Sequence, residues 1–408
     1  MGLPKKSWTS RLWKRFTAER PKSCISTSMR KLFVSLAMVL VSFGLSFPAL
    51  AQEEGTDSQV YTRGKVIEVI ADSSGTDSPL DNAEQVILVE VLGGEDEGQA
   101  VTITYTFSSS NYRDQRLEKG DVVVVAKVTD ARGENYYVLD SYRLPTILIY
   151  VVLFALAAII FGRARGAGSL VGLAVSLGIL MLFVVPRIIA GDNPLVISFI
   201  GACAIAVTSI LLAHGLKRRT YVALAATLAA LVAAFVLAMI AVAFANLSGT
   251  GTEEAIYLQL SYLPNLDLRG LLLGGIIIGA LGVLDDVTTA QVAAVEEIGL
   301  ANPTLGVGEL YRRGISVGRE HIAALVNTLI LAYAGASFPL FLLFALPDHP
   351  PLWIILNNEN IVEEVLRALV GGTALMLAVP IATALAAAVF GSLPKPEHPS
   401  SKRLAHRH

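Results

Sequence analysis

Seven segments of the sequence are apolar over roughly twenty residues each, the length that an α-helix needs to cross the hydrocarbon core of a bilayer. The whole chain is 53% hydrophobic and only 16% charged. That balance is typical of an integral membrane protein and not of a globular one. The sequence therefore predicts an α-helical polytopic membrane protein whose transmembrane domain covers residues 145–391. The seven predicted helices lie near Pro145–Phe161, Ser169–Val185, Pro194–His214, Tyr221–Ala245, Leu268–Ala294, Ile322–Leu346 and Val365–Phe390.

A shorter apolar run, residues 32–50, follows two basic residues and ends in Ala49-Leu50-Ala51. This order of basic, apolar and small residues is typical of a secretory signal peptide, so residues 1–51 are predicted to be one, cleaved before Gln52. Two alternatives stay open: the run is an uncleaved anchor, or the chain starts at Met29.

Residues 52–144 carry short runs of apolar and β-branched residues between turn-rich pieces. This pattern predicts a small all-β domain, an OB-like barrel. The segment is acidic, whereas nucleic-acid binding demands a basic face, so no nucleic-acid partner is expected. The predicted strands are Val60–Ile70, Gln85–Leu92, Ala100–Phe107, Val122–Val128 and Tyr136–Tyr142.

Orientation is predicted by two independent features of the sequence. A signal peptide would place the β-domain outside the cytoplasm, and the connections that would then face the cytoplasm carry most of the basic residues, as the positive-inside rule requires. We therefore expect a multi-pass protein of the bacterial plasma (inner) membrane, with an extracytoplasmic N-terminal domain and a cytoplasmic tail at residues 392–408. The basic residues concerned are Arg163, Arg165, Lys217, Arg218, Arg219, Arg312, Arg313 and Arg319, with Lys395, Lys402, Arg403 and Arg407 in the tail.

The fifth predicted helix carries Asp285 and Asp286 where lipid is expected. A carboxylate at the bilayer centre costs about 3 kcal/mol on insertion scales, so it normally faces protein or a wet cavity. Helical spacing places Asp285 on one face with Thr288 or Thr289, and Asp286 on the neighbouring face. Carboxylate and hydroxyl oxygens at this spacing can bind a hard cation or a proton.

These features predict an ion or substrate site at Asp285, Asp286, Thr288 and Thr289, with Asn327 of the sixth helix able to hydrogen-bond across to the fifth. The metal, if any, stays unknown, and no cofactor is expected beyond a bound cation or a coupled proton. The alternative is that the bilayer ends near Asp285, which would make the two aspartates an ordinary solvated helix end.

Two other patterns concern packing. The spacings Gly270/Gly274 and Gly275/Gly279 predict close helix contacts, with a flexible hinge as the alternative. Glu363 and Arg367 have the i,i+4 spacing of a local ion pair at the start of the seventh helix, with a gate as the alternative.

The sequence lacks the motifs of the enzymes considered. The Asp-Asp pair has no second Asp-rich motif as in membrane prenyltransferases, and no aspartate on another helix completes an intramembrane aspartyl protease. We find no P-loop, no HExxH and no Ser–His–Asp set. An enzyme is therefore not expected.

The stretch Gly-Ala-Leu-Gly-Val-Leu-Asp-Asp-Val-Thr-Thr-Ala-Gln at residues 279–291 resembles the YibE/F-like family of bacterial multi-pass membrane proteins. Gly308-Glu309-Leu310-Tyr311, Gly318-Arg319-Glu320-His321 and Asn327-Thr328-Leu329 support the same resemblance, which covers about residues 145–390. It implies the helical architecture and points to the fifth helix, but it supplies neither a substrate nor catalytic residues.

Two functions of different classes remain. The leading hypothesis is a transporter or permease-like protein with a cation or proton site at Asp285 and Asp286, whose partners are the lipid bilayer and a small ion or solute. The rival hypothesis is a membrane scaffold or receptor that recruits a protein partner, or a second copy of itself, through the extracytoplasmic β-domain.

Overall fold

The computed structural model describes residues 58–73, 82–108, 115–130, 133–339, 342 and 350–391. The predicted signal peptide and C-terminal tail lie outside these residues. The chain divides into two compact units, Met1–Ala155 and Leu156–His408.

The first unit is built on five antiparallel strands: β1 (Ser58–Ser73), β2 (Asn82–Val91), β3 (Ala100–Ser108), β4 (Val122–Asp130) and β5 (Gly133–Ser141). They pair in the order β3-β2-β1-β4-β5, and β3 approaches β5, so the sheet is a nearly closed barrel. This strand order is that of an OB fold, which confirms the predicted barrel.

Alternation along the strands fills the barrel, because every second side chain of a strand points to the same face. Ile87, Val89, Ile103 and Val125 are among the side chains that form its core. Gly64 of β1 lies where a Cβ atom would collide with Val89, so only glycine lets this strand cross so close to the core.

The remainder of the described chain is helical. Its elements are α1 (Leu144–Ile179), a π-helical stretch (Leu180–Val184), α2 (Val185–Ile189), α3 (Pro194–His214), α4 (Arg218–Phe244), α5 (Glu253–Ser261), α6 (Leu268–Ala301), α7 (Val307–Ala336), α8 (Leu352–Leu356) and α9 (Glu359–Phe390). Among the described residues, seven helical segments are long and apolar enough to cross a membrane, which confirms the predicted architecture.

The first two spans are separate, as predicted, because α1 is broken at Arg163, whose φ of 50° lies in the left-handed region; they are Leu144–Ala164 and Gly166–Ile189. Bounds of several later spans differ from the prediction: the fifth ends at Ala301 and not at Ala294, and the seventh begins at Glu359 and not at Val365. The sixth span begins at Val307 and not at Ile322, because the amphipathic stretch before Ile322 packs its small and apolar face on the bundle and stays helical.

The centre of the second unit is α6, which packs against α3, α4, α7 and α9. Fifteen of its residues are buried, among them Thr288 and Gln291. These polar side chains are tolerated because they face other helices and not lipid. Leucine and isoleucine side chains of α4, α6 and α9 pack against alanines, whose small side chains let the helix axes lie close together. Members of this core include Ala202, Leu231, Ile277, Leu284 and Leu375.

Candidate functional site

The first turns of α6 pack closely against α3. The Asp267 carboxylate caps this helix by accepting a hydrogen bond of 2.9 Å from the Gly270 backbone N–H. A Cβ atom at Gly274 would collide with Ser198 of α3, so the Gly270/Gly274 spacing brings these two helices into contact, as predicted. Gly275 faces open space, and Gly279 would only touch the Tyr333 hydroxyl at 3.9 Å, so the second glycine spacing makes no comparable contact.

The two aspartates have different surroundings. Asp285 is half-buried, and its carboxylate accepts a hydrogen bond of 3.0 Å from the Ser209 hydroxyl of α3. Asp286 is exposed, and among the described residues no hydrogen bond or ion pair reaches its carboxylate. Adjacent residues of a helix differ by about 100° in direction, which explains why only Asp285 faces the bundle.

The two threonines also differ. Thr288 is fully buried, and its hydroxyl lies 2.5 Å from the Thr227 hydroxyl of α4. Thr289 is half-buried, and its hydroxyl donates to the backbone carbonyl of Asp286 at 3.1 Å. Thr288 is thus a helix-to-helix contact, whereas Thr289 faces the cleft described below.

Asn327 is not brought to this group. It lies exposed on α7, and within the described part of the chain no hydrogen bond links it to α6. The expected cross-helix bond is absent because the buried face of α7 is formed by Leu310, Gly314 and Gly318, with Asn327 turned away from it.

Gln291 is a contact that the predicted site omitted. It is 3% exposed, and its side-chain amide donates to the Gly314 carbonyl at 2.9 Å and to the Thr383 hydroxyl at 2.7 Å. It thereby joins α6 to α7 and α9. The regular spacing of Asp285, Thr288 and Gln291, three residues apart, could have indicated this contact from the sequence. In the structure these side chains bond to α3, to α4 and to the α7/α9 pair, respectively. No sequence pattern indicated the contact of Ser209, because a single hydroxyl in an apolar segment has no distinctive spacing.

A cleft of about 420 Å³ opens between α3, α4 and α6. Its wall includes Thr289, Ala293 and Glu297, which follow one another at a spacing of four residues along α6. Asp285 is the next position in this series, one helical turn or about 6 Å beyond Thr289. The other lining residues are His214, Arg219, Thr220, Ala223, Ala290 and Val292.

The charges of the cleft are partly paired. Arg219 approaches Glu296 at 3.7 Å, an ion pair of which both side chains remain partly exposed. The Thr220 hydroxyl is buried in the same wall and has no hydrogen-bond partner among the described residues. The cleft therefore has polar groups that can hydrogen-bond water and enough volume to hold it.

The predicted ion pair between Glu363 and Arg367 is wrong. Arg367 instead pairs with Glu364 at 2.8 Å, three residues away. Glu363 points into the bundle, where its carboxylate accepts from the Gly251 backbone N–H at 3.0 Å. Helical spacing alone could not reveal this, because the competing donor comes from a loop 112 residues away.

Comparison with protein-family models identifies both parts of the chain. Residues 59–140 match the YibE/F family N-terminal domain, and residues 150–392 match the YibE/F-like protein model. The chain belongs to the YibE/F-like family. Searches of curated proteins and of solved structures found no match.

The YibE/F matches follow the two structural parts closely. The N-terminal match covers the barrel strands, and the longer match covers the helical segments from the first span to the end of α9. The Ser209–Asp285 contact, the Gln291 contacts and the cleft all lie within the longer match.

Proposed function

We propose that this YibE/F-like protein is a proton-coupled permease in which Asp285 takes up and releases the proton. One observation carries the proposal: a half-buried carboxylate lies one helical turn beyond the wall of a cleft between three membrane helices. Ionisable groups within membrane spans commonly mark ion pathways and proton relays, because their cost must be offset by a role or a partner.

The cleft supplies a route for water. A water molecule takes about 30 Å³ in the liquid, so a cleft of this size holds on the order of ten. Thr289, Glu297 and the other polar groups of the wall can hydrogen-bond such waters. Protons can then reach Asp285 from one end of the bundle.

The surroundings of Asp285 favour a proton over a metal cation. Hard cations such as Ca²⁺ take six to eight oxygen ligands. Among the described residues, the carboxylate meets one hydroxyl, that of Ser209, which donates to it. The Asp286 carboxylate points elsewhere, and the Thr288 hydroxyl is engaged with Thr227 and its own helix.

The same end of the bundle carries Arg218, Arg219, Arg312 and Arg313. By the positive-inside rule, we propose that the cleft opens to the cytoplasm of a bacterial cell and that the β-barrel lies on the other side of the plasma membrane.

The test uses the full-length protein reconstituted in vesicles that contain a pH-sensitive dye, with the membrane potential clamped by K⁺ and valinomycin. We expect the wild type to dissipate an imposed pH gradient faster than protein-free vesicles do. Asp285→Asn should abolish this, whereas the matched control Asp286→Asn should retain it. Equal rates for Asp285→Asn and the wild type would refute the role of Asp285, and a rate that follows Na⁺ and not pH would replace the proton by that cation.

A second candidate function is recruitment of a protein partner by the barrel. Tyr61 of β1 and Tyr137 of β5 both lie opposite Ala126 of β4, so they share the outer face, and they are 60% and 50% exposed. Exposed aromatic side chains are enriched at protein interfaces. If the pair Tyr61→Ser and Tyr137→Ser removes the cellular phenotype while proton flux persists, recruitment becomes the better explanation.

A further inference from the structure

Glu363 is a buried acidic residue that the proposed site does not use. It lies in the second turn of α9 and is 3% exposed. Its side chain accepts one hydrogen bond, from the Gly251 backbone N–H, and no other hydrogen bond or ion pair reaches it from the described residues. A charged carboxylate in such a place would be poorly compensated, since buried charges normally need a counter-ion or several donors.

Glu359, one turn earlier on the same helix, shows the contrast. Its carboxylate accepts hydrogen bonds from the backbone N–H groups of Ser248 and Gly249 and from the hydroxyls of Ser248 and Thr250. Donors in this number stabilise the ionised form. The same loop therefore surrounds one glutamate with donors and gives the next glutamate only one.

The loop contact at Glu363 is made directly by the backbone. A Cβ atom at Gly251 would lie between 2.6 and 2.8 Å from the three atoms of the Glu363 carboxyl group. Leu247, Leu272 and Val370 belong to the apolar cluster beside it. These neighbours offer no oxygen ligands for a metal ion.

Among the described residues, no cation forms an ion pair with Glu363. Arg367 is held by Glu364 through its Nη1 atom, while its Nε atom is buried without a hydrogen-bond partner among the described residues. The other charged groups described at this end are the exposed Glu253 and Glu254 of α5, Asp267 and Arg269 at the start of α6, and the ion pair between Arg187 and Asp192. The Leu247–Thr252 loop and the outer turns of α4 contain no titratable side chain.

Glu363 and Asp285 lie at different depths of the bundle, since Glu363 is near the start of α9 and Asp285 is halfway along α6. α6 and α9 run in the same direction, since Gln291 bonds Thr383 near one end and Leu272 shares a cluster with Val370 near the other. From these contacts and the helical rise, Glu363 lies about 20 Å from Asp285 along the helix axes. The space between is filled by the apolar core of Ile277, Leu281 and Leu375.

We propose that Glu363 is a second proton-binding residue, which exchanges its proton at the end of the bundle opposite to the cleft. The inference rests on the proposed proton coupling at Asp285. A hydronium ion gives its proton to one carboxylate oxygen, leaving water, while the other oxygen keeps the Gly251 hydrogen bond. On release, the ionised carboxylate gains the free Nε–H of Arg367, one turn along α9.

The apolar core between Glu363 and Asp285 affects how a proton could cross the bundle. It prevents a continuous chain of water between the two carboxyl groups, so a proton passes only when the helices rearrange. This is the behaviour of a permease with alternately exposed sites and not of an open channel.

The test is difference infrared spectroscopy of the reconstituted full-length protein over a pH titration, in which the C=O stretch reports protonated carboxyl groups. We expect Glu363→Gln to remove one component of this band and Asp285→Asn to remove another. The matched control Glu359→Gln should change neither, because the donors around Glu359 favour its ionised form. A band that Glu363→Gln leaves intact would overturn the inference.

Glu363→Asp guards against a folding defect, since it keeps a carboxyl group and should shift the component and not remove it; an unshifted band would also count against the inference. The outcomes separate the two proposals. If Glu363→Gln removes a component of the C=O band and Asp285→Asn does not, only the proton site at Asp285 is refuted. If Asp285→Asn removes a component and Glu363→Gln does not, only the proton site at Glu363 is refuted.

Discussion

The Ser209 hydroxyl donates a hydrogen bond of 3.0 Å to the Asp285 carboxylate and thereby joins α3 to the central helix α6. This contact distinguishes Asp285 from Asp286, which has no such partner among the described residues. On the same helix, Asp285 lies one helical turn from Thr289 of the cleft wall.

Ser209→Ala should weaken both stability and proton flux. The change leaves a half-buried carboxylate without its hydrogen bond, which typically costs about 1–3 kcal/mol. We expect a lower melting temperature of the detergent-purified protein and slower flux in vesicles. Thr208→Ala is the matched control, because the Thr208 hydroxyl bonds only carbonyls of its own helix. Equal effects of the two changes would argue against a particular role for the Ser209–Asp285 bond.

Gln291→Leu should destabilise the bundle by about 1–3 kcal/mol, because the Thr383 hydroxyl and the Gly314 carbonyl lose a buried donor. Thr383→Val should cost less when Gln291 is already leucine, since the two side chains share one hydrogen bond of 2.7 Å. A double-mutant cycle of chemical unfolding in mixed micelles measures this coupling. Strict additivity of the two changes would contradict the bond.

Gly314→Ala should destabilise the contact of α7 with α6 and α9. A Cβ atom there would lie 2.8 Å from a Val295 methyl carbon and 2.9 Å from the Thr383 methyl carbon. Overpacking of this kind typically costs about 1–3 kcal/mol. Gly308→Ala on the same helix has open space and should be neutral or slightly stabilising, given the better helix propensity of alanine. The melting temperatures of both variants test this prediction. A Gly314→Ala variant as stable as the wild type would show that the helices can move apart without cost.

The barrel should lose protection in acid. Hydrogen bonds from Lys127, at 2.6 Å, and from the Tyr136 hydroxyl, at 2.9 Å, lower the pKa of Asp96. A lowered folded-state pKa means that this contribution to stability is present above the ordinary value of about 4 and is lost as the pH falls through the folded-state value. Hydrogen exchange of β2–β5 in the full-length protein, corrected for intrinsic rates, should therefore rise below about pH 4.

Asp96→Asn tests that assignment. Exchange in the barrel should be faster than in the wild type at neutral pH and should depend less on acid. The exposed neighbour change Glu97→Gln should keep the wild-type profile. An unchanged acid dependence in Asp96→Asn would assign the loss to other carboxylates. In base the sign is opposite, since hydrogen bonds to Asp96 and Glu134 raise the pKa of Lys127 and their contribution fades only when that group deprotonates.

The sequence by itself determined the elements of this protein. Membrane helices follow from the length of apolar runs, and the barrel strands follow from alternation over a few residues, both of which are local properties. For the same reason the family could be recognised from short runs around Asp285 and Gly318.

Only the tertiary structure decided which polar groups meet. Ser209 reaches Asp285 across 76 residues, Gln291 reaches Thr383 across 92, and Gly251 reaches Glu363 across 112. Helical spacing placed Asp285 and Asp286 on different faces but could not say which face was buried. It also suggested Arg367 as the partner of Glu363 and Asn327 as a contact of α6, whereas packing gave Arg367 to Glu364 and turned Asn327 outward. Partners of this kind depend on how helices rotate about their axes, and that rotation is fixed by the fit of alanines, glycines and leucines from several helices at once.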